Sequence, residues 1–453
     1  MDVLMVQEIC LLLLKGSALY FIGVNLIYGL LLLVSWLKIK KFNQDEKNES
    51  SSDLPSVSFL VPAYNEESLI VETLQTYLSL PQGNKEIIIV NDGSHDQTMK
   101  LLQVMYQLKK TDDPSGRLYQ SITQPNLKVV EAPHMGKAQA LNFGLLFTRF
   151  DLVCTMDADT IPTSHGVEAC LKAFKKDSKL VAAGGVIQVL SGQELKDNSP
   201  LKTRAQEWLT SFQRIEYLRT FVCERLGWSY IGSTVLISGA FCMLKKEAIK
   251  KIGGFSPRSI TEDFDLIVRL RKAYKGSNYR FKTFPVTTCY TQVPRTLRHL
   301  SKQRMRWQMG LIQTLFQNGS LFLHPQHGIL GLFAIPYFWL VEAFSPVMVF
   351  VSYLVLPFSL FFGWVNPFHA ILFFSAGLLF NLMITIIGIN LDDKYVSNKC
   401  TWSFSRCLLE TTFLHFGYKQ LNSWWRLLAL MKAFGKAPSW GEKPRTELIH
   451  QNS

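Results

Sequence analysis

Asp157 and Asp159 close the apolar run Leu152–Met156. Two carboxylates one residue apart at the end of a buried strand can converge, directly or through water, on a hard divalent cation; Mg²⁺ prefers one or two carboxylates plus phosphate oxygens. The spacing alone is weak evidence, because Asp263 and Asp265 repeat it. A second acid pair, Glu262 and Asp263, follows Thr261 and opens the helical run Phe264–Ala273. A helix start stabilises carboxylates through its dipole, so a cap is the plain reading. A carboxylate there is equally able to take a proton from a hydroxyl.

Tyr64, Asn65 and Glu66 follow the apolar run Val57–Val61, and Asn91-Asp92-Gly93-Ser94 ends the next one. Tyr64 offers a flat face to a base, and Asp92 can accept from a ring N–H or a ribose hydroxyl. Gly93 permits a tight turn. Each segment on its own is also an ordinary strand-to-helix turn, with Asp92 as its cap. Gly136 and Lys137 open another helical run; that arrangement suits a phosphate at a helix start, with Lys137 as a point charge, and also suits a plain exposed lysine. Further on, Gln303, Arg306 and Trp307 stand at i, i+3 and i+4, which brings an amide, a cation and an indole together on a helix.

Short β-rich runs (Val57–Val61, Glu86–Val90, Lys128–Glu131, Leu152–Met156) alternate with helical patterns such as Glu66–Leu78 and Gly136–Phe147. That alternation predicts an α/β domain with a mainly parallel sheet. In such a sheet ligands bind at the carboxyl ends of the strands, where Tyr64, Asp92, Asp157 and Asp159 fall. The segment Arg295–Phe316 reads as an amphipathic helix. Arg295, Arg298, Lys302 and Arg306 form one stripe, and Leu297, Leu300, Trp307, Leu311 and Leu315 lie on the other side. A basic interfacial helix is the simpler account of that pattern.

Ala18–Leu37 carries no charge and is long enough to cross about 30 Å of hydrocarbon. Lys38, Lys40 and Lys41 come directly after it, which places the amino terminus outside and the chain beyond Lys38 in the cytoplasm. Two more apolar blocks occupy Gly328–Phe362 and Pro367–Leu391. The first contains Pro336, Pro346 and Pro357 and predicts a kinked span, with a re-entrant pair as the second option. Cys407–Leu430 holds Glu410, His415, Lys419 and Arg426, too many ionisable groups for a cheap span, so it reads as an interfacial helix. The chain thus divides into an anchor (1–42), a polar linker (43–55), a cytoplasmic α/β domain (56–291) and an interface helix (292–327). Two or three spans (328–392) and an interfacial helix with a basic tail (393–453) complete it.

Only 18% of the 453 residues are charged, against 48% hydrophobic, and mean hydropathy is +0.11. That composition excludes a disordered tail protein and a nucleic-acid-binding domain built on dense charge. The 48 Lys and Arg outnumber 35 Asp and Glu, a formal +13 that fits nucleic acid, anionic lipid or phosphorylated substrates, to be decided by where the charge sits. Eight cysteines without a C-x-x-C pair argue against a disulfide framework or a zinc site, and Cys154 and Cys242 read as buried thiols.

Pro-Ala-Tyr-Asn-Glu, Asn-Asp-Gly-Ser, Gly-Lys-x-x-Ala-Leu-Asn, Asp-Ala-Asp, Thr-Glu-Asp and Gln303-Arg304-Met305-Arg306-Trp307, in this order, make the chain resemble the processive family 2 glycosyltransferases. These include the cellulose, hyaluronan, chitin and poly-N-acetylglucosamine synthases. The resemblance runs from about Val57 to Trp307, and the Q-x-x-R-W element is its most specific part. It implies a GT-A type nucleotide-sugar-binding domain flanked by transmembrane and interfacial helices, in a multi-pass protein of the cell membrane. It further implies that Tyr64, Asn65, Glu66 and Asp92 hold uridine and that Lys137 sits near the diphosphate. Asp157 and Asp159 would bind nucleotide and a Mg²⁺ or Mn²⁺ ion, with Asp159 the metal ligand. Asp263, beside Glu262, would be the base, and Gln303, Arg306 and Trp307 would grip the acceptor end and the leaving diphosphate. Ser238–Phe241 would line the acceptor channel. The expected partners are a UDP-sugar, a polysaccharide or glycolipid acceptor and the bilayer, with no nucleic acid. Relatives carry more spans, so a homo-oligomer or an accessory membrane subunit would complete a pore. A rival is single-sugar transfer to a membrane lipid; another is a carbohydrate-sensing or transport component without catalysis.

Overall fold

The computed structural model describes residues 3–46, 53–81, 84–190, 195–196, 199–200, 208–275, 278–396 and 404–433. A long helix α1 (Val3–Glu46) precedes β1 (Val57–Ala63), α2 (Ile70–Leu78), β2 (Lys85–Asp92), α3 (Thr98–Tyr106), β3 (Leu108–Lys110), β4 (Leu118–Ser121) and β5 (Leu127–Ala132). Then come α4 (Lys137–Leu145), β6 (Leu152–Thr155), β7 (Thr160–Pro162), α5 (Ser164–Lys176) and β8 (Leu180–Val189). A two-residue pair, β9 (Leu195–Lys196) and β10 (Ser199–Pro200), leads to α6 (Trp208–Leu218), a π-helical segment Arg219–Arg225 and α7 (Leu226–Tyr230). The domain closes with β11 (Cys242–Lys245), α8 (Lys246–Lys251), α9 (Glu262–Ala273), β12 (Arg280–Thr291) and α10 (Leu297–Gln317).

Ten strands form one sheet in the order β3-β4-β5-β2-β1-β6-β11-β8-β12-β7. Its centre, β5-β2-β1-β6, is parallel, and so is the β8-β12 pair. β11 runs against both its neighbours, which joins the two parallel halves. All seven residues of β1 are buried, as expected of a strand covered on both faces. Alternate residues serve opposite cores: Phe59, Val61, Ile87 and Ile89 pack with Leu74 and Tyr77 of α2, whereas Leu60, Ile88 and Val90 pack with Leu141 of α4. Register aligns Ala63 with Asn91 and Leu60 with Thr155. The turns after β1, β2 and β6 therefore emerge together on one edge, and these carry the candidate residues.

Outside the sheet, several expectations change. α1 continues through Glu46, so the predicted linker begins as helix; nothing from Lys41 to Glu46 is a Gly or Pro that would stop it. Residues 47–52 of that linker, and the basic tail with Lys436, Lys443 and Arg445, lie outside the described residues. Val3–Phe42 and Pro367–Val396 are long and apolar enough to cross a membrane. Between them, Leu330–Ala343 and Ser345–Phe361 form a pair bent by 43°, a geometry that fits a kinked span and a re-entrant pair alike, with Pro346 just past the break. The segment expected as one interfacial helix is instead two, Phe404–Phe413 and Lys419–Lys432, broken where Gly417 takes φ +102°. Its ionisable groups find protein partners: Arg406 bonds Glu410 at 2.7 Å, Lys419 contacts His415 at 2.7 Å, and Arg426 donates to Gln308 at 2.8 Å. Cys10, Cys154, Cys170, Cys223, Cys242 and Cys289 are free thiols, and all six are buried.

Candidate active site

A cleft of about 1800 Å³ opens at the carboxyl edge of the sheet and runs beneath α10 towards the apolar helices. Tyr64, Asn65, Glu66, Lys137, Asp157, Asp159, Glu262, Asp263, Gln303, Arg306 and Trp307 all line it. Eleven of the twelve residues singled out in the sequence therefore meet in one place.

The exception is Asp92, which is 1% exposed and not among the lining residues. Its carboxylate accepts the backbone N–H groups of Met135 (2.8 Å) and Gly136 (2.9 Å) and lies 3.1 Å from Nδ1 of His134. In this arrangement Asp92 shapes the loop that delivers Lys137. Gly93, at φ +67°, is required beside it, since a Cβ there would stand 2.6 Å from the backbone nitrogen of His134. The His134 ring stacks on Tyr64 with centroids 4.2 Å apart. Asn65 joins the turns after β1 and β2: its backbone N–H donates to Ser94 Oγ (2.9 Å) and its Oδ1 accepts from the backbone of His95 (2.8 Å).

Lys137 is the first residue of α4, and its ammonium lies 2.8 Å from Asp157 Oδ1 and 2.5 Å from Glu262 Oε1. Burial alone would push it down, but Asp157, Glu262 and Asp263 together hold it above the usual lysine value. Glu262 and Asp263 open α9. Asp263 accepts from the backbone N–H of Gly239 through Oδ2 and from that of Phe264 through Oδ1, each at 2.8 Å. Burial, then the neighbouring Glu262 charge, keep Asp263 above the ordinary aspartate range, against the opposing pull of Lys137 and the two N–H donors. A carboxylate both raised and oriented in this way suits proton acceptance.

α10 closes the cleft from above. Thr296 caps it by accepting the His299 N–H at 3.3 Å. Gln313 accepts from Ile260 N–H (3.0 Å) and donates to Arg258 O (2.8 Å), which fastens α10 to the loop before α9. A Cβ on Gly310 would come within 2.4 Å of the Thr261 side chain, so glycine is what lets the two helices approach. Trp307, on the apolar side of the helix, lines the cleft with Arg306, and the Arg304 guanidinium lies 4.8 Å from its ring centroid. The cleft-facing side of α10 is wider than a single stripe, because residues 303, 304, 306 and 307 all border it.

Sequence reasoning misses the wall behind that element. Glu216 of α6 accepts from Arg304 (2.6 Å) and the Tyr418 hydroxyl (2.7 Å) through Oε2, and from Asn422 (3.0 Å) through Oε1. Gln308, 2% exposed, accepts from Arg426 at 2.8 Å and donates to Ala343 O at 3.0 Å. These partners lie far apart in the chain, and no local spacing joins them. Only Arg304 carries a signal, inside the Gln303–Trp307 element, where it counts as a spacer.

Asp157, Glu262 and Asp263 act on the one Lys137 ammonium, and Asp159 lines the same cleft, so negative charge is in surplus there. That surplus fits a divalent cation arriving with phosphate oxygens. Among the described residues no three His, Cys, Asp or Glu side chains could hold a metal ion by themselves. Asp157 and Asp159 would supply the carboxylate share of a Mg²⁺-type site, leaving the remaining ligands to diphosphate and water.

Residues 152–387 match the profile described as Glycosyl transferase family group 2. Poly-beta-1,6-N-acetyl-D-glucosamine synthase of Staphylococcus aureus (strain COL) is 32% identical over 279 residues, 61% of this chain and 60% of the relative. The enzyme of the same description from Staphylococcus epidermidis is 32% identical over 285 residues, 62% of this chain and 61% of the relative. The chain thus spans about three-fifths of the length of these curated relatives. Among solved structures, a mannosyltransferase from Pyrobaculum calidifontis, in complex with GDP-Man and Mn²⁺, superposes with a TM-score of 0.55 at 20% identity. That likeness covers 90% of this chain and 99% of the other, and it establishes the fold.

Proposed function

Because the chain belongs to Glycosyl transferase family group 2, we propose that it transfers a sugar from a UDP-sugar to the hydroxyl end of a growing β-linked polysaccharide at a membrane. UDP-N-acetylglucosamine is the donor that the names of the staphylococcal relatives favour, with UDP-glucose as the alternative. The observation that carries this reading is that Gln303, Arg306 and Trp307 border the same cleft as Asp263 and Lys137. The helix proposed to grip the acceptor and the sheet edge proposed to bind the donor border one space, and its volume exceeds the roughly 300–1,000 Å³ of a single-ligand pocket.

Asp263, aimed by the Gly239 N–H, takes the proton of the acceptor hydroxyl as that oxygen attacks the anomeric carbon. The bond to the diphosphate breaks on the opposite face, so a donor linked α gives a β linkage. Lys137 and Arg306 stabilise the charge that gathers on the departing diphosphate. Tyr64, Asn65 and Glu66 hold the nucleotide, and Trp307 gives the acceptor sugar an aromatic platform. Asp157 and Asp159 hold Mg²⁺ or Mn²⁺, which supplies further neutralisation of the diphosphate when bound. The catalytic domain faces the cytoplasm in a multi-pass protein, anchored by α1, the bent pair and Pro367–Val396.

Single-sugar transfer to a membrane lipid is the second reading. It is favoured by the reach of the cleft to Tyr28 on α1 and to Phe338 and Glu342 on the bent helix pair, where a lipid-linked hydroxyl would enter. Purified protein in detergent, given radiolabelled UDP-N-acetylglucosamine and UDP-glucose separately, is expected to give a ladder of long products with one of them. Product that never exceeds one sugar on a lipid overturns polymerisation. Trp307→Phe is expected to shorten the products several-fold while UDP binding persists, because a phenyl ring restores area but neither the indole width nor its N–H. Unchanged chain length in that variant would reduce Trp307 to packing.

EDTA is expected to silence transfer. Asp159→Ala is expected to weaken UDP binding in Mg²⁺ or Mn²⁺ by about tenfold, with little change in binding without metal, as loss of one carboxylate ligand implies. Full turnover in EDTA would contradict the metal site.

A further inference from the structure

No acid occurs between Asp265 and Glu342, and the basic residues of that stretch are not all used by the cleft. Phe264 and Val268 of α9 pack in one cluster with Leu321, Leu330 and Ala334. Helical spacing carries the same face onward to Arg271, Lys272 and Lys275. The end of α9 therefore lies against the loop that leads into the bent membrane pair. Lys272 and Lys275 are exposed there, while Arg271 is half-buried and donates to Gly232 O at 2.9 Å.

The facing loop adds two histidines, His324 and His327, with ring centroids 5.2 Å apart. Nδ1 of His324 is buried and has no hydrogen-bond partner. Burial, followed by Lys275, His324, Arg271 and Lys272, holds the His327 imidazole below its ordinary value. The same loop turns apolar side chains outward: Phe322 is 41% exposed, Leu323 56%, Ile329 47% and Phe333 64%. Leu323 sits at φ +52°, held by a 3.0 Å bond from its N–H to Gly331 O. Cations gathered beside exposed apolar side chains, next to a membrane segment that starts at Leu330, describe a surface with both a headgroup side and an acyl side.

We propose that the carboxyl end of α9 and the 322–329 loop bind the phosphate headgroup of an anionic phospholipid. Lys272 and Lys275 contact the phosphate, and Phe322, Leu323 and Phe333 enter the acyl region. The site is separate from the sugar-transfer cleft and does not depend on which sugar is transferred. It selects lipids by charge and holds the loop that connects α10 to the bent pair.

The full-length protein in detergent, titrated with phosphatidylglycerol or phosphatidylcholine and read by native mass spectrometry, tests this. Wild type is expected to retain phosphatidylglycerol with roughly thirtyfold preference, the order of two lysines near an anionic surface. The double variant Lys272→Gln/Lys275→Gln changes two exposed side chains and is expected to bring the preference close to unity. Millimolar inorganic phosphate is expected to leave bound phosphatidylglycerol in place, because the acyl contacts are absent from the free ion. Equal retention of the two lipids by wild type, or a preference that survives in the double variant, overturns the site. Displacement of the lipid by inorganic phosphate overturns the lipid as its ligand.

Discussion

Asp263→Asn abolishes sugar transfer and leaves UDP binding within about twofold of wild type, the expected outcome when only the proton acceptor is lost. The substitution is close to isosteric. One of the two backbone N–H groups held by Asp263, Gly239 or Phe264, keeps its acceptor, and the other faces an amide nitrogen. That lost hydrogen bond costs about 1 kcal/mol, too little to empty the donor site. General base catalysis contributes about 10²–10⁴-fold, so turnover should fall by at least the lower figure. Calorimetry with UDP, alongside release of UDP from labelled donor, separates the two effects. A variant that keeps a tenth of wild-type turnover removes Asp263 as the base. The pH profile gives a second check with a fixed sign. Because the Asp263 carboxyl lies above the ordinary aspartate value, the base becomes protonated, and transfer is lost, at a pH higher than the usual carboxylate value of about 4. The acid limb belongs to kcat/KM and should vanish with the substitution.

The sheet edge is legible because two signals coincide there. Buried strands such as Val57–Ala63 are apolar but for Ser58, and that run ends abruptly in polar residues, so the run and its stop both show in the sequence. The pairing of β11 is not legible. Cys242 sits in an apolar, strand-like run, but nothing local reveals that Cys242–Lys245 pairs antiparallel with β6 and β8. At the end of α1, polarity suggests a break in the helix that does not occur, because Gln44 and Glu46 are sound helix formers.

Among the site residues, Asp92 has a structural use that the motif does not show. A strand-terminal aspartate can be a ligand, a loop clamp or both, and the clamp rests on whether backbone N–H groups lie within reach. Met135 and Gly136 do, from more than forty residues along the chain. Trp307 shows a different limit. Hydrophobic periodicity tells buried from exposed, and an indole facing a polar cleft satisfies it as well as one facing lipid. The networks around Glu216 and Gln308 leave no trace in the sequence beyond Arg304, since each joins helices that only tertiary packing brings together.

Glu216→Ala is the test of whether that wall matters to elongation. The Arg304 and Glu216 side chains are 11% and 22% exposed, and Glu216 also serves the Tyr418 hydroxyl and Asn422. Truncating it leaves the Arg304 guanidinium without its carboxylate in a mostly buried position, a loss of about 3–5 kcal/mol for a pair of this kind. Arg304 also lies over Trp307, so its release loosens the ring proposed to hold the acceptor. The donor end, with Lys137 and Asp157 on the sheet edge, shares no hydrogen bond with Glu216 among the described residues. The expected outcome is therefore a split: donor KM near the wild-type value, and a polymer yield lower by about a hundredfold, the equivalent of roughly 3 kcal/mol. Glu216→Gln keeps an oxygen for Tyr418 or Arg304 and should recover part of the yield. If the role were only to hold the domain together, both variants would lower expression and UDP binding in parallel with yield. Wild-type chain length from Glu216→Ala would show that Trp307 keeps its place without Arg304, and that the wall behind α10 carries no part of the acceptor grip.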